Sequence, residues 1–121
     1  MQYLLLIYEA EQIWESKTDE EKREALAGHG QLAAKMDADG VTHTGQPLMP
    51  TSTAVSVRRR GGDVQVTDGP FAETKEQLSG FYLIDVDSMD AARDYAAMIP
   101  HADTGTIEVR PVADHSDLGE G

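Results

Sequence analysis

Two short runs of apolar residues constrain the fold of this chain more than any other feature. Residues 3–8 read YLLLIY and residues 81–86 read FYLIDV. Short continuous apolar runs of this kind are typical of β-strands that are buried on both faces. The fold must therefore contain a sheet with a packing partner on each side.

The segment between residues 18 and 40 predicts a long helix. Thr18 and Glu21 have the spacing of a capping box at its start, and Gly40 supplies its end. Apolar positions recur three and four residues apart between these caps, which is the pattern of an amphipathic helix. The predicted apolar stripe comprises Ala25, Leu26, His29, Leu32, Ala33 and Met36.

A second helix is predicted after the second apolar run. Asp87 or Ser88 caps it, and Pro100 ends its apolar stripe of Met89, Ala92, Ala96 and Ile99. Residues 9–17 predict a connection in which Trp14 covers a core edge or an interface. The remaining segments predict a weak strand at 41–44, a hairpin of 51–60 and 63–67 around Gly61-Gly62, and a last strand at 106–112.

The order of these elements predicts an α+β, ferredoxin-like βαββαβ fold with an inserted β-hairpin. Two helices can cover only one face of such a sheet, whereas the runs at 3–8 and 81–86 are apolar on both faces. We therefore expect a homodimer that packs sheet against sheet. The alternative is a monomer that uses the hairpin as a lid. One domain is expected over residues 1–112, followed by an acidic tail at 113–121.

Composition narrows the classes of partner and compartment. The chain has 121 residues, no cysteine, and 10 basic against 22 acidic side chains, for a net charge of −12. This balance argues against a nucleic acid or an anionic membrane as partner. No apolar run approaches the roughly 20 residues that span a bilayer, and no basic leader precedes the first run. We expect a cytoplasmic protein.

Several motifs resemble one known family. Residues 68–76 read DGPFAETKE, residues 80–82 read GFY and residues 107–111 read IEVRP. Together with MQYLLLIY at the start and GQPL at 45–48, they resemble the DGPF group of YCII-related proteins over residues 1 to 112. The resemblance implies a dimeric α–β barrel built from two ferredoxin-like halves.

The resemblance implies less about activity. YCII-related proteins are suspected enzymes because a helix histidine and an acidic residue line a cleft. DGPF members often accompany extracytoplasmic-function sigma factors, although no sigma-like segment is present here. Short YCII proteins also carry an Asp-Pro-aromatic element before the last strand, where this chain has Ile99-Pro100-His101.

His29 and Asp68 are the candidate catalytic residues. The ordinary pKa of histidine, near 6.5, suits acid–base catalysis, and Gly28 and Gly30 beside His29 permit another backbone to approach or leave room for the imidazole. Asp68, where the hairpin ends, could orient that imidazole. The structural alternatives are a buried histidine with one hydrogen bond and an aspartate that caps its own turn.

Six further residues are candidates for substrate binding. The hydroxyls of Tyr3 and Tyr82 could face a cleft, and Glu108 with Arg110 lies on one face of the last strand. Glu73 and Lys75, in the loop after Asp68, could supply a second carboxylate and a counter-charge for an anionic substrate. Ordinary packing, a salt bridge and a solvated loop are the alternatives.

The sequence predicts no metal and no cofactor site. The four histidines are scattered, and no glycine-rich loop leads from a strand into a helix. The basic cluster at 58–60 is most simply a charged hairpin edge, or a docking point for an acidic partner.

Three functions stay open on the sequence alone. The first is a small enzyme without a tightly bound cofactor, in which His29 and a carboxylate act on a small polar or anionic metabolite. The second is a non-catalytic ligand-binding or regulatory module linked to a sigma factor. The third is an oxygenase- or isomerase-like α–β barrel enzyme, which requires a large apolar pocket that 6% aromatic content supports poorly.

Overall fold

The two apolar runs form the central strands of a four-stranded antiparallel sheet. A computed structural model describes residues 1–119, so the last two residues of the predicted acidic tail lie outside the described part. Its strands are β1 (Gln2–Glu9), β2 (His43–Pro47), β3 (Val55–Arg60), β4 (Asp63–Asp68), β5 (Gln77–Asp85) and β6 (Thr106–Pro111). Its α-helices are α1 (Glu11–Glu15), α2 (Asp19–Ala38) and α3 (Met89–Ala96), with 3-10 turns at Thr51–Thr53 and Pro100–Asp103.

The main sheet has the order β2-β5-β1-β6, and β3 pairs only with β4 in a separate two-stranded sheet. All pairings are antiparallel. The predicted α+β class is confirmed, and the arrangement is compatible with a ferredoxin-like fold that carries a hairpin between β2 and β5.

The two faces of the main sheet differ in burial. Side chains at Tyr3, Leu5 and Ile7 of β1 are buried, and they pack with Leu32 and Met36 of α2 in the core. The alternate residues of β1 point to the other face, because successive side chains of a strand alternate. This second face, called the open face below, carries the half-buried Leu4, Leu6, Phe81 and Leu83. None of these four residues belongs to the core cluster, to which α2 and α3 contribute on the opposite face.

The predicted helix caps are confirmed. The backbone N–H of Glu21 donates to the Thr18 hydroxyl over 3.1 Å, and that of Thr18 donates to the Glu21 carboxylate over 2.9 Å. Ser88, rather than Asp87, caps α3. The predicted place of Leu26 on the buried stripe is wrong, since its side chain is 62% exposed. Burial instead follows Ala25, His29, Leu32 and Met36, to which Leu26 is offset by one position.

Three predicted boundaries also require correction. The expected connection at 9–17 contains α1, a helix too short to be stable alone, which tertiary hydrogen bonds hold in place. The Glu11 N–H donates to Gln77 Oε1 over 3.0 Å, and Glu11 Oε1 accepts from the Thr51 N–H over 2.8 Å. The weak strand at 41–44 lies instead at His43–Pro47, and the hairpin strand begins at Val55 rather than at Thr51.

The inserted hairpin is confirmed around Gly61-Gly62, whose φ angles of +57° and +83° suit a tight hairpin turn. One of its faces carries four exposed valines, namely Val55, Val57, Val64 and Val66. None of the helices within residues 1–119 has the length and hydropathy needed to cross a bilayer.

Candidate active site

A cavity of about 460 Å³ opens between α1, α2 and the strands β1, β2 and β5. Most of its lining is apolar, including Ile7, Trp14, Leu26, Leu48, Met49 and Leu78. Its titratable lining groups are Glu9, Glu11, Glu15, His29, Tyr82 and His101. A mainly apolar cavity with a few convergent polar groups is the usual form of a small-molecule site.

His29 is the central polar residue of this cavity. The side chain of His29 extends from α2 toward the core face of the sheet, where it meets Tyr82 of β5. The Nδ1 atom of His29 is 2.6 Å from the Tyr82 hydroxyl, and its Nε2 atom is 3.1 Å from Nδ1 of His101. Both ring nitrogens of His29 therefore have hydrogen-bond partners.

His101 connects this pair to a buried carboxylate. Glu9, at the end of β1, is only 2% exposed, and its Oε1 atom lies 4.0 Å from Nε2 of His101. The hydroxyl of Thr104 donates to the other carboxylate oxygen of Glu9. The chain passes so close to β1 at Gly105 that an added Cβ would lie 2.0 Å from the Tyr8 carbonyl oxygen. Glycine at this position therefore allows the 3-10 turn to place Thr104 against Glu9.

A second glycine allows His101 to approach α2. A Cβ added at Gly28 would lie 2.7 Å from Cγ of Pro100, whereas one added at Gly30 would meet nothing within 4 Å. Glycine at 28 or 30 was expected either to permit the approach of another part of the chain or to leave room for the imidazole. Gly28 has the first of these roles, because it lets the 3-10 turn at Pro100–Asp103 pack on the helix. Close packing at Gly28 thus brings His101 beside His29.

The contacts favour one direction for the hydrogen bonds. If the Tyr82 hydroxyl donates to Nδ1 of His29, then Nε2–H of His29 donates to Nδ1 of His101, and Nε2–H of His101 points to the Glu9 carboxylate. In the reverse direction a lone pair of His101 would face that carboxylate, which is electrostatically unfavourable. We therefore assign the chain of donors Tyr82 → His29 → His101, with Glu9 at its end.

Burial keeps both imidazoles neutral. It lowers the pKa of His29, and the nearby His101 lowers that pKa further. Burial also lowers the pKa of His101, although Glu9 opposes this shift by favouring the imidazolium, and Lys17 adds to it. Burial raises the pKa of the Tyr82 hydroxyl, so that Tyr82 stays protonated at neutral pH.

Trp14 closes one side of the cavity. Its ring stacks on that of His101, with centroids 5.9 Å apart and an interplanar angle of 18°, and Nζ of Lys22 lies 5.7 Å from the centroid of the indole ring. The prediction that Trp14 covers an edge therefore requires a refinement, because that edge is the wall of the candidate active site.

The structure brings only two of the predicted site residues, His29 and Tyr82, into this cavity. Asp68 does not reach His29, whose ring nitrogens contact Tyr82 and His101 instead. The physical reason is that Asp68 ends β4 and is exposed in the separate hairpin. Any role for Asp68 in catalysis stays a prediction.

The other five candidates lie outside the cavity lining. Tyr3 is buried in the core, where its hydroxyl is 3.5 Å from the sulfur of Met1. Glu73 and Lys75 are exposed in the loop before β5. Glu108 and Arg110 lie on β6 opposite Leu6 and Leu4, so their side chains belong to the open face of the sheet.

Glu9, His101 and Thr104 are the functional candidates that the sequence analysis did not select. A charged residue at the end of an apolar run was the available signal for Glu9. For His101 it was the replacement of the expected Asp-Pro-aromatic element by Ile99-Pro100-His101. No group of three or more histidine, aspartate and glutamate side chains within residues 1–119 is arranged to hold a metal ion.

Comparison with known proteins identifies the family but no reaction. The YCII-related domain matches residues 1–116. An uncharacterised protein of Rhizobium meliloti (strain 1021) is 40% identical over 115 residues, which cover 93% of each chain. On this similarity and on the match over nearly its whole length, the chain belongs to the YCII-related family.

Proposed function

We propose that this protein is a small enzyme that removes a proton from its substrate through Tyr82, His29 and His101. The observation that supports the proposal is the continuous series of contacts from the Tyr82 hydroxyl, at the cavity, to the buried Glu9. Acid–base chemistry of this kind requires side chains only, in keeping with the expectation of an enzyme without a tightly bound cofactor.

The proton transfer can be written with each proton accounted for. An acidic proton of the substrate moves to the Tyr82 oxygen while the Tyr82 proton moves to Nδ1 of His29. The proton on Nε2 of His29 then moves to Nδ1 of His101. The positive charge comes to rest on His101, 4.0 Å from the Glu9 carboxylate. Return of the protons by the same route protonates the product.

The charges of the site suit this direction of transfer. Both imidazoles are neutral and can accept a proton, because burial lowers the pKa of each. The Tyr82 hydroxyl keeps its proton, because burial raises its pKa, so it relays a proton rather than acting as a standing phenolate. Glu9 is placed to stabilise the imidazolium that forms, which is the role of the acidic member in other histidine-based sites.

Solvent-deuterium incorporation tests the proposal. A metabolite library is screened by thermal shift, and each ligand found is incubated with the enzyme in D2O and followed by mass spectrometry. We expect Tyr82→Phe and His29→Gln to slow deuterium incorporation by about a hundredfold or more, and His29→Gln to do so with little loss of affinity. His43→Gln is the matched control, because His43 bonds Asp37 outside the cavity.

A non-catalytic ligand-binding or regulatory module linked to a sigma factor predicts the opposite result. Ligands would then bind to the wild-type protein without product or deuterium incorporation. Such an outcome refutes the proposal that the protein is an enzyme. The apolar lining of the cavity removes the main objection to an isomerase-like enzyme, because most of the apolar residues in that lining are aliphatic rather than aromatic.

A homodimer through the open face is the second part of the proposal. The half-buried Leu4, Leu6, Phe81 and Leu83 on this face support it, because a second copy of the sheet would bury them. The inserted hairpin gives less support to the alternative of a lid, since its strands pair only with each other and its valines are exposed. The α–β barrel implied by the DGPF resemblance would be this dimer.

Sedimentation at micromolar concentration tests the dimer. We expect a dimeric mass for the wild-type protein and a monomeric mass for Leu6→Asp, which places a charge at the centre of the open face. Ala34→Asp, at an exposed position of α2, is the matched control and should stay dimeric. A monomeric wild-type protein contradicts the proposal.

A further inference from the structure

We infer that the cavity binds an uncharged, mainly apolar molecule with one hydroxyl or carbonyl group, rather than the polar or anionic metabolite expected from the sequence. The inference deepens the proposed function and rests on it only for the placement of the reacting group beside Tyr82. Its support comes from the walls of the cavity, from their charge, and from the single polar end.

The walls favour an apolar body. Leu26 and Met49 line the cavity yet are 62% and 74% exposed, so a bound molecule would cover apolar surface that now faces water. Trp14, Ile7 and Leu78 supply further apolar surface. Removing such surface from water stabilises a complex in proportion to the apolar area that is buried.

The charge of the lining disfavours an anion. Three glutamates line the cavity, and no lysine or arginine among residues 1–119 does so. Lys22 lies over the Trp14 ring that forms the wall, and Lys17 acts electrostatically on His101, but neither lysine lines the cavity. A ligand carboxylate would therefore leave water without gaining a counter-charge, which is unfavourable in a partly buried site.

The glutamates do not by themselves indicate a cationic ligand. Glu9 accepts a hydrogen bond from Thr104, and Glu11 accepts one from the Thr51 N–H, so both carboxylates have partners within the protein. Glu15 is exposed and can remain hydrated. The lining is therefore suited to a neutral molecule, whose binding disturbs none of these groups.

The polar end of the cavity fits one hydrogen-bonding group. While the Tyr82 proton is donated to His29, the Tyr82 oxygen can accept a hydrogen bond from a ligand hydroxyl. If the hydroxyl rotates, it can instead donate to a ligand carbonyl. Both nitrogens of His29 and Nδ1 of His101 have hydrogen-bond partners, and Nε2 of His101 lies on the side of the buried Glu9, so Tyr82 is the group placed to meet the ligand.

A matched set of probes tests the inference by binding alone. Cyclohexanone, cyclohexanol, cyclohexanecarboxylate and cyclohexylammonium share one apolar body and differ in charge. Trp14 is the only tryptophan of the chain and lies in the cavity wall, so its fluorescence and its indole N–H resonance report binding there. We expect the two neutral probes to shift these signals and to bind about tenfold or more tightly than the two ions.

A charge at the mouth of the cavity should change this preference. Leu26→Arg places a guanidinium where an exposed leucine lines the cavity, and we expect it to raise the affinity for cyclohexanecarboxylate by about tenfold. Ala27→Arg is the matched control, because Ala27 is exposed on the same helix but does not line the cavity. We expect it to leave all four affinities unchanged.

Three results would overturn the inference. They are a wild-type protein that binds either ion as tightly as cyclohexanone, a lack of any response of Trp14 to the neutral probes, and an equal effect of Arg at positions 26 and 27. The proposed function can fail separately. If the neutral probes bind at Trp14 but no ligand is turned over, the proposed enzymatic function is refuted and the inference about the ligand still holds.

Discussion

Replacing Gly28 with alanine tests whether close packing of the 3-10 turn on α2 assembles the candidate active site. The new Cβ would lie 2.7 Å from Cγ of Pro100. Carbon atoms in favourable contact are about 3.5–4.0 Å apart, so the proline ring would have to move by about 1 Å. His101 follows Pro100 directly and would move with it, away from His29.

The change in stability expected for Gly28→Ala is the sum of two opposing contributions. Alanine gains about 1 kcal/mol over glycine within a helix, and forcing a side chain into a packed contact costs about 1–3 kcal/mol. At Gly30 an added Cβ meets nothing within 4 Å, so only the favourable term applies. We therefore expect Gly28→Ala to be less stable than Gly30→Ala by about 1–3 kcal/mol.

Urea unfolding at one fixed protein concentration measures this difference. A second readout is the imidazole ¹⁵N spectrum, in which Gly28→Ala should change the signals of His29 and His101, whereas Gly30→Ala should not. If Gly28→Ala stabilised the protein as much as Gly30→Ala and left both imidazoles unchanged, the packing argument would be wrong.

Three further predictions concern the site and the helix that holds it. Because the pKa of His29 and that of His101 are lowered in the folded protein, the unfolded chain binds more protons as the pH falls below about 6.5, so their contribution lowers the free energy of unfolding there. Urea unfolding between pH 8 and 5 should show a smaller loss for His29→Gln than for the wild type, and equal losses would contradict this. Thr104→Val removes the hydroxyl that donates to the buried Glu9 carboxylate, and we expect a loss of about 1–3 kcal/mol in thermal or urea unfolding. Thr18→Ala removes the capping box of α2 and should cost about 1 kcal/mol in the same assay without changing the imidazole spectrum.

Local sequence signals were sufficient for most of the fold. The apolar run at 3–8, the capping box at Thr18 and the glycine pair at 61–62 each act through neighbouring residues, and the first strand, the long helix and the hairpin turn formed where expected. Their order alone indicated an α+β sheet with an inserted hairpin. The helix period also placed His29 on the core side, which is why this residue could be selected.

Helix α1 and the partners of His29 could not be predicted in this way. The five residues of α1 have weak local preference, and the helix forms because Gln77 and Thr51, distant in sequence, bond to Glu11. The prediction that Leu26 is buried was wrong for a related reason, since a shift of one position along a helix decides whether a side chain meets the core or the cavity.

The sequence by itself determined the two central strands, the long helix, the family and the place of His29 on the core side of that helix. Only the tertiary structure decided that His29 meets Tyr82 and His101 rather than Asp68, with Glu9 behind them. These residues lie on β1, α2, β5 and the turn after α3, so no spacing in the sequence relates them. They meet because Gly28 and Gly105 let the turn pack closely against the helix and the first strand.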